Sequence, residues 1–189
     1  MTFPELYKSE LLKAIDAIDL AKVNQVIDLF REARDHGRRI FVCGNGGSAS
    51  TASHFACDIL KGASYQREKR FRIMALTDQL PTLTAYANDV GYDCVFCEQL
   101  KNFAEPGDVF LAISGSGNSP NVIEAMKYAN EIGCRTVAMT GRNGGKLGPM
   151  AEINLQVSVP HMGRIEDAHL ITCHMIGYYF MEEGARAGG

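Results

Sequence analysis

The sequence carries no surplus of positive charge. Nineteen lysines and arginines stand against 22 aspartates and glutamates, for a net charge of −3 and a pI near 5.9. That removes the electrostatic footprint of a nucleic-acid binder. No apolar run approaches the roughly 18 residues that a membrane helix needs. The start, MTFPELYKSELL, has no basic stretch followed by an apolar core, so no secretory leader is expected. Low-complexity segments, long linkers and repeats of solenoid period are missing too. The expectation is a cytoplasmic protein with no nucleic-acid or membrane partner. At 189 residues, 46% hydrophobic and 22% charged, disorder and coiled coil are excluded. A single domain over residues 1–189 is expected, with residues 1–36 as N-terminal helices.

The cysteines lack a metal or redox pattern. Cys43, Cys57, Cys134 and Cys173 lie in or beside apolar or helical stretches and read as buried free thiols. Cys94 and Cys97 form a C-x-x-C, but no second such pair exists for zinc and no thioredoxin-like context surrounds them. The spacing predicts that they share one face of a helix from about Tyr92 to Phe103.

What is present is an alternation of short apolar strands and amphipathic helices. Tyr7 to about His36 has helical spacing, with a weak break at Asp19 to Ala21, and reads as two helices. Strands are predicted at Arg39–Cys43, Phe71–Leu76, Val109–Ile113, Thr136–Thr140 and Ile153–Val159. Helices are predicted from Ser48 to about Lys61, from Ser119 to about Ile132, and from about Arg164 to Glu183. The strands are rich in Val, Ile and Phe without alternation, which indicates burial on both faces and a parallel sheet. The fold class is therefore α/β: a three-layer domain with extra helices at the N-terminus.

In such a sheet, ligands bind beyond the carboxyl ends of the strands. Two turns there suit an anion. Ser114-Gly-Ser-Gly-Asn-Ser119 follows a strand and opens a helix, which places the hydroxyls of Ser114, Ser116 and Ser119 around a helix N-terminus. It lacks a lysine, so it suits a monophosphate better than a triphosphate. The other turn, Gly44-Asn-Gly-Gly-Ser-Ala49, fits a dinucleotide pattern with Asp78 as the ribose acid, but the second cradle weakens that reading. Gly141-Arg-Asn-Gly-Gly-Lys146 fails as a P-loop because Leu147 replaces the required Ser or Thr.

Taken together, CGNGGSA, HF five residues on, Tyr86-Ala-Asn-Asp89, ISGSGNSPNVIEA, TGRNGGK and RIED-x-H resemble the sugar isomerase (SIS) domain family, and more narrowly the phosphoheptose isomerases. The resemblance covers nearly the whole chain. It implies a five-stranded parallel sheet in a flavodoxin-like α/β/α sandwich. It also implies a homotetramer with active sites at subunit interfaces. The implied reaction converts D-sedoheptulose 7-phosphate to D-glycero-D-manno-heptose 7-phosphate, for nucleotide-activated heptose and surface polysaccharide.

An aldose–ketose isomerisation moves a proton between two carbons through an enediol, and needs a base for carbon and a second group for the oxygens. His54 and Asp58 are four apart and share a helix face. Glu166, His169 and His174 lie on the last helix, with His169 about −60° and His174 about +80° from Glu166. The histidines therefore diverge, and His169 reads as structural. His36 and His161 carry no signal.

The resemblance assigns roles residue by residue. His54 and His174 match its histidines; Asp58 stands where a Glu is usual, and Glu166 where a Gln is usual. In several relatives this set binds zinc. His54, Asp58, Glu166 and His174 are thus the candidate ligands for zinc or another divalent ion. Asp58 or Glu166 is the candidate base, and His174 the group that moves protons among the oxygens. Asn45, Ser48 and Asp89 match sugar-contacting positions; Glu166, Ser114, Ser116 and Ser119 complete the substrate set. Two other readings stay open. One is an isomerase of another sugar phosphate, motivated by Asp58, Glu166 and the short Pro160–Gly163 loop. The other is a non-catalytic SIS regulator of replication initiation, against which His174 speaks.

Overall fold

The computed structural model describes residues 1–186; residues 187–189, included in the expected domain, lie outside the described residues. The elements run in the order α1 (Phe3–Asp16), α2 (Leu20–Asp35), β1 (Arg39–Gly44), α3 (Gly47–Cys57), β2 (Arg72–Ala75), α4 (Leu80–Asp89), α5 (Cys97–Phe103), β3 (Val109–Ser114), α6 (Pro120–Glu131), β4 (Arg135–Gly141), β5 (Ile153–Val157) and α7 (Met162–Arg186). The five strands are all parallel, in the order β2-β1-β3-β4-β5.

That order sets the site. From β1 the chain steps outward to β2, then returns to place β3 on the other side of β1. The direction of winding therefore reverses between β1 and β3, and the reversal opens a crevice beyond their carboxyl ends. The Gly44–Ser48 turn leaves β1 there, and the Ser114–Ser119 turn leaves β3.

Helices cover both faces of the sheet. On one face, Val26 and Phe30 of α2, Phe55 of α3, and Ile176 and Phe180 of α7 pack on Val42, Leu111 and Val137. On the other, Phe96, Leu100 of α5, and Val122 and Met126 of α6 pack on Phe41, Phe110 and Ala138. Each of these side chains is almost fully buried, worth about 1.5–3 kcal/mol apiece in removed apolar surface.

Several elements differ from the sequence expectation. The break between the first two helices falls earlier, because Asp19 caps α2 by accepting from the Lys22 amide at 3.1 Å. Of this pair, α2 belongs to the central sandwich. α1 buries only Ala14 and leaves Phe3, Leu6 and Leu12 exposed. The helix after the first glycine turn ends at Cys57 and continues as a π-helical turn over Asp58–Gly62, where the Ala63 amide bonds the Asp58 carbonyl at 3.0 Å. α4 has no counterpart among the expected elements: it fully buries no residue and meets the core only through the half-buried Leu83, Tyr86 and Ala87. The expected Tyr92–Phe103 helix divides into a 3₁₀ turn, Tyr92–Cys94, and α5.

His169 ties α7 to the sheet. Its ring is buried and its Nε2–H donates to the Thr140 carbonyl at the end of β4, 3.0 Å away. Burial holds its pKa down to about 4, against an ordinary 6.5. The unfolded chain therefore takes up this proton near pH 6.5 while the folded chain refuses it. The stability from keeping this ring neutral is complete above pH 6.5 and drains away by about 3 kcal/mol as the pH falls to 4. Urea unfolding at pH 7 and pH 4.5 is expected to show this loss in the native chain and a smaller loss in His169→Gln, which retains a donor but cannot titrate.

Candidate active site

The first turn is built on close approach. Asn45 and Gly46 lead into α3, and the Ser48 amide bonds the Asn45 carbonyl at 3.0 Å. A Cβ on Gly47 would lie 2.7 Å from the Glu166 carboxylate, so only glycine lets α7 come this near. Ser48 is buried beneath the turn.

In the serine turn, the Ser114 Oγ lies 3.2 Å from that of Ser119 and 3.5 Å from that of Ser116, so three hydroxyls share one small volume at the start of α6. Gly117 has φ +64° and its Cα faces the Gly144 carbonyl so closely that a Cβ would clash with it at 2.2 Å. The Gly141–Lys146 loop thus braces the cradle from behind. Three clustered hydroxyls at the positive end of α6 suit a phosphate monoester.

A polar relay links the two turns. Asn45 and Asn121 exchange side-chain hydrogen bonds, at 2.9 and 3.0 Å. The Tyr92 hydroxyl donates to Asn45 Oδ1 at 2.8 Å. Asn121 and Tyr92 had no role in the sequence reading. The available signal was an asparagine inside the apolar stretch NVIEA, where a buried amide requires partners.

The α3 and α7 helices meet at the histidines. His54 Nε2 and His174 Nε2 are 2.9 Å apart, and Asp58 Oδ2 lies 3.4 Å from the first and 3.7 Å from the second. These three residues form a group whose ligand atoms all lie within 4.8 Å of one another. Asp58 Oδ2 is buried without a hydrogen-bond partner. An orphaned carboxylate oxygen facing two imidazole nitrogens is a donor set that fits a divalent ion with an open coordination position.

Glu166, the fourth expected ligand, stands outside this group. It is eight residues before His174, about 12 Å along the helix and turned by about 80°. The structure places its half-buried carboxylate over Gly47. Asp89 is the last residue of α4, exposed, and accepts from Asn88 Nδ2 at 2.7 Å. Tyr92, three residues on, is the group from that region that reaches Asn45. Asp78, the candidate ribose acid, accepts a short hydrogen bond from Ser53 of α3.

The chain matches the SIS domain family over residues 7–141, and it belongs to that family. Within it, the chain is a member of the phosphoheptose isomerase group, a class of sugar-phosphate isomerases. It is 41% identical over 170 residues to a probable phosphoheptose isomerase of Thermoplasma acidophilum, covering 90% of this chain and 93% of that one. With the phosphoheptose isomerase of Aliarcobacter butzleri the identity is 44% over 146 residues, 77% of this chain and 76% of the other. The solved structure of phosphoheptose isomerase from Neisseria gonorrhoeae superposes with a TM-score of 0.86 at 34% identity, covering 93% of this chain and 95% of that chain. The sheet and helix layers thus agree with the expected SIS fold.

The relay carries its own prediction. Asn121→Ala removes both hydrogen bonds that Asn45 makes to α6 and leaves the half-buried Asn45 Nδ2 and the buried Val122 amide without these acceptors, a cost of about 1–3 kcal/mol. Urea unfolding is expected to show that loss, whereas Asn118→Ala, on the exposed side of the same turn, costs well under it.

Proposed function

We propose that this chain interconverts D-sedoheptulose 7-phosphate and D-glycero-D-manno-heptose 7-phosphate, and that its product supplies nucleotide-activated heptose for surface polysaccharide. The observation that carries the reading is the convergence of His54, Asp58 and His174 on one point of α3 and α7, the helix whose start packs on both ligand turns.

In this reading the hydroxyls of Ser114, Ser116 and Ser119, at the positive end of α6, hold the phosphate. Asn45 and Ser48 orient the sugar over the glycine turn. Two carboxylates reach the site, and their surroundings divide the work. Asp58 is committed to the histidines. Glu166 has no hydrogen bond or ion pair among the described residues, and it lies beside the turn where the sugar binds; it takes the proton from carbon and returns it to the neighbouring carbon. With no ion bound, the imidazoles of His54 and His174, close enough to share one proton, pass it between the two sugar oxygens. Zinc or another divalent ion, held by His54, Asp58 and His174, supplies Lewis-acid polarisation of the carbonyl when bound.

Assembly belongs to the same proposal. Phe3, Leu6 and Leu12 on α1 are exposed, and the site histidines remain half-exposed in one chain. A homotetramer that covers α1 and closes the site at a subunit interface accounts for both. Light scattering is expected to give four chains at micromolar concentration; a stable monomer would overturn the interface-built site.

Turnover of sedoheptulose 7-phosphate in deuterated water tests the chemistry. An enediol route is expected to place solvent deuterium on carbon of the product. Glu166→Gln is expected to lower kcat by about 10²–10⁴ with KM little changed. Asp58→Asn is expected to lower zinc content as well as kcat, which separates the two carboxylates. Full activity in Glu166→Gln, with activity lost in Asp58→Asn at full zinc loading, would move the base to Asp58. A panel of other sugar phosphates turned over faster would reassign the substrate.

A further inference from the structure

Cys94 and Cys97 are set by the fold in a position that no part of the isomerase reading uses. Val95 and Phe96 between them have φ/ψ of −57°/−29° and −94°/−39°, so the four residues make one right-handed turn. A turn of this kind brings its first and fourth Cα atoms within about 7 Å, the range that a disulfide spans. Both thiols are half-buried and free, while Val95 and Phe96 point into the core and pin the turn. Burial holds the Cys97 thiol above its ordinary pKa, an effect that the Lys101 ammonium one helical turn on opposes and that Glu98 and Glu124 add to. The Cys94 thiol donates to the Gly91 carbonyl at 3.1 Å, which stabilises the reduced form.

We infer that Cys94 and Cys97 form a reversible thiol–disulfide site, closed by a low-molecular-weight disulfide such as oxidised glutathione. Cys94 is the less enclosed by apolar neighbours and attacks first: its thiolate displaces one thiolate from the external disulfide and forms a mixed disulfide. The Cys97 thiolate then attacks the Cys94 sulfur and expels the second. The protein loses two electrons and two protons, and the external disulfide becomes two thiols. On a regular helical turn the two Cβ atoms lie about 5–6 Å apart, wider than the roughly 3.5–4.5 Å of a relaxed disulfide. The bond therefore draws the turn inward and stays easily reduced.

The turn begins two residues after Tyr92, whose hydroxyl holds Asn45 in the first ligand turn. Gly91, with φ +146°, precedes it as the flexible joint. Closing the disulfide is expected to pull Tyr92 from Asn45. This consequence for catalysis rests on the proposed substrate site; formation of the bond does not.

The native chain, equilibrated across ratios of oxidised to reduced glutathione, is read by intact mass and by peptide mapping under non-reducing conditions. The expected result is a species lighter by two hydrogens, with the bond mapped to Cys94 and Cys97, restored by excess thiol and missing from both Cys94→Ser and Cys97→Ser. Glutathione added only at the exposed Cys57, or the lighter species persisting in Cys94→Ser, overturns the proposal. In the activity arm, the oxidised chain is expected to show KM for sedoheptulose 7-phosphate raised about two- to tenfold, the worth of one hydrogen bond, with Cys94→Ser insensitive to oxidation. An unchanged KM in the oxidised native chain overturns the link to Tyr92. A chain that turns over no sugar phosphate at all refutes the isomerase reading, while the mass measurement still decides the disulfide.

Discussion

The packing of α7 across the carboxyl end of the sheet is the constraint on which the rest depends. Its first turn sits on the serine cradle, with Met162 and Ile165 against Gly115. Ile165 also covers Gly141 at the end of β4, and Glu166 covers Gly47 at the start of α3. Two turns later His169 reaches the backbone of β4, and beyond it His174 meets His54. One rigid helix thus fixes the relative positions of groups that leave three different strands. The small residues beneath it are small because the helix is there: a methyl group at Gly47, Gly115 or Gly141 would stand within 2.8 Å of a side-chain atom of α7. Rigid elements hold reacting groups more precisely than loops do.

Electrostatics then distinguishes the two carboxylates. Asp58 begins a π-helical turn, a departure from regular helix that is frequent at functional positions. Its outer oxygen is buried with no donor except the imidazoles, an arrangement that is costly unless a proton or a cation accompanies it. Glu166 meets no such partner among the described residues, and its carboxylate lies over Gly47 of the glycine turn. Two acids of similar chemistry therefore have different neighbours: two imidazoles beside Asp58, the glycine turn beside Glu166.

Much of this could be read from the chain. The buried strands advertised themselves through runs such as Val-Phe-Leu-Ala-Ile, and the two turns through glycine and serine between strand and helix. His54 and Asp58 were legible as an i, i+4 pair. What sequence could not supply was depth along α7. Spacing left open whether the Glu166 carboxylate joins His174 at one centre, and the structure sets that carboxylate over Gly47. α4 was hard to see because it meets the core only through the half-buried Leu83, Tyr86 and Ala87. Tyr92 and Asn121 were invisible for the opposite reason: their role is to bond each other's neighbour, a relation between segments that no local pattern records.

The sheet order also governs when the site comes into being. β1 lies at the centre, but its neighbour β3 begins some 65 residues later in the chain, and His174 follows His54 by 120. During synthesis, at about 5–20 residues per second, the α3 face that α7 will cover is made long before α7 emerges. Phe55 and Ile59, both buried in the finished fold, share a core cluster with Ile176 and Phe180 of α7. The histidine pair therefore assembles only when the last helix docks. Competence to bind substrate reports that the whole chain has been made and folded, and a ribosome-stalled fragment ending before α7 has both turns but no site.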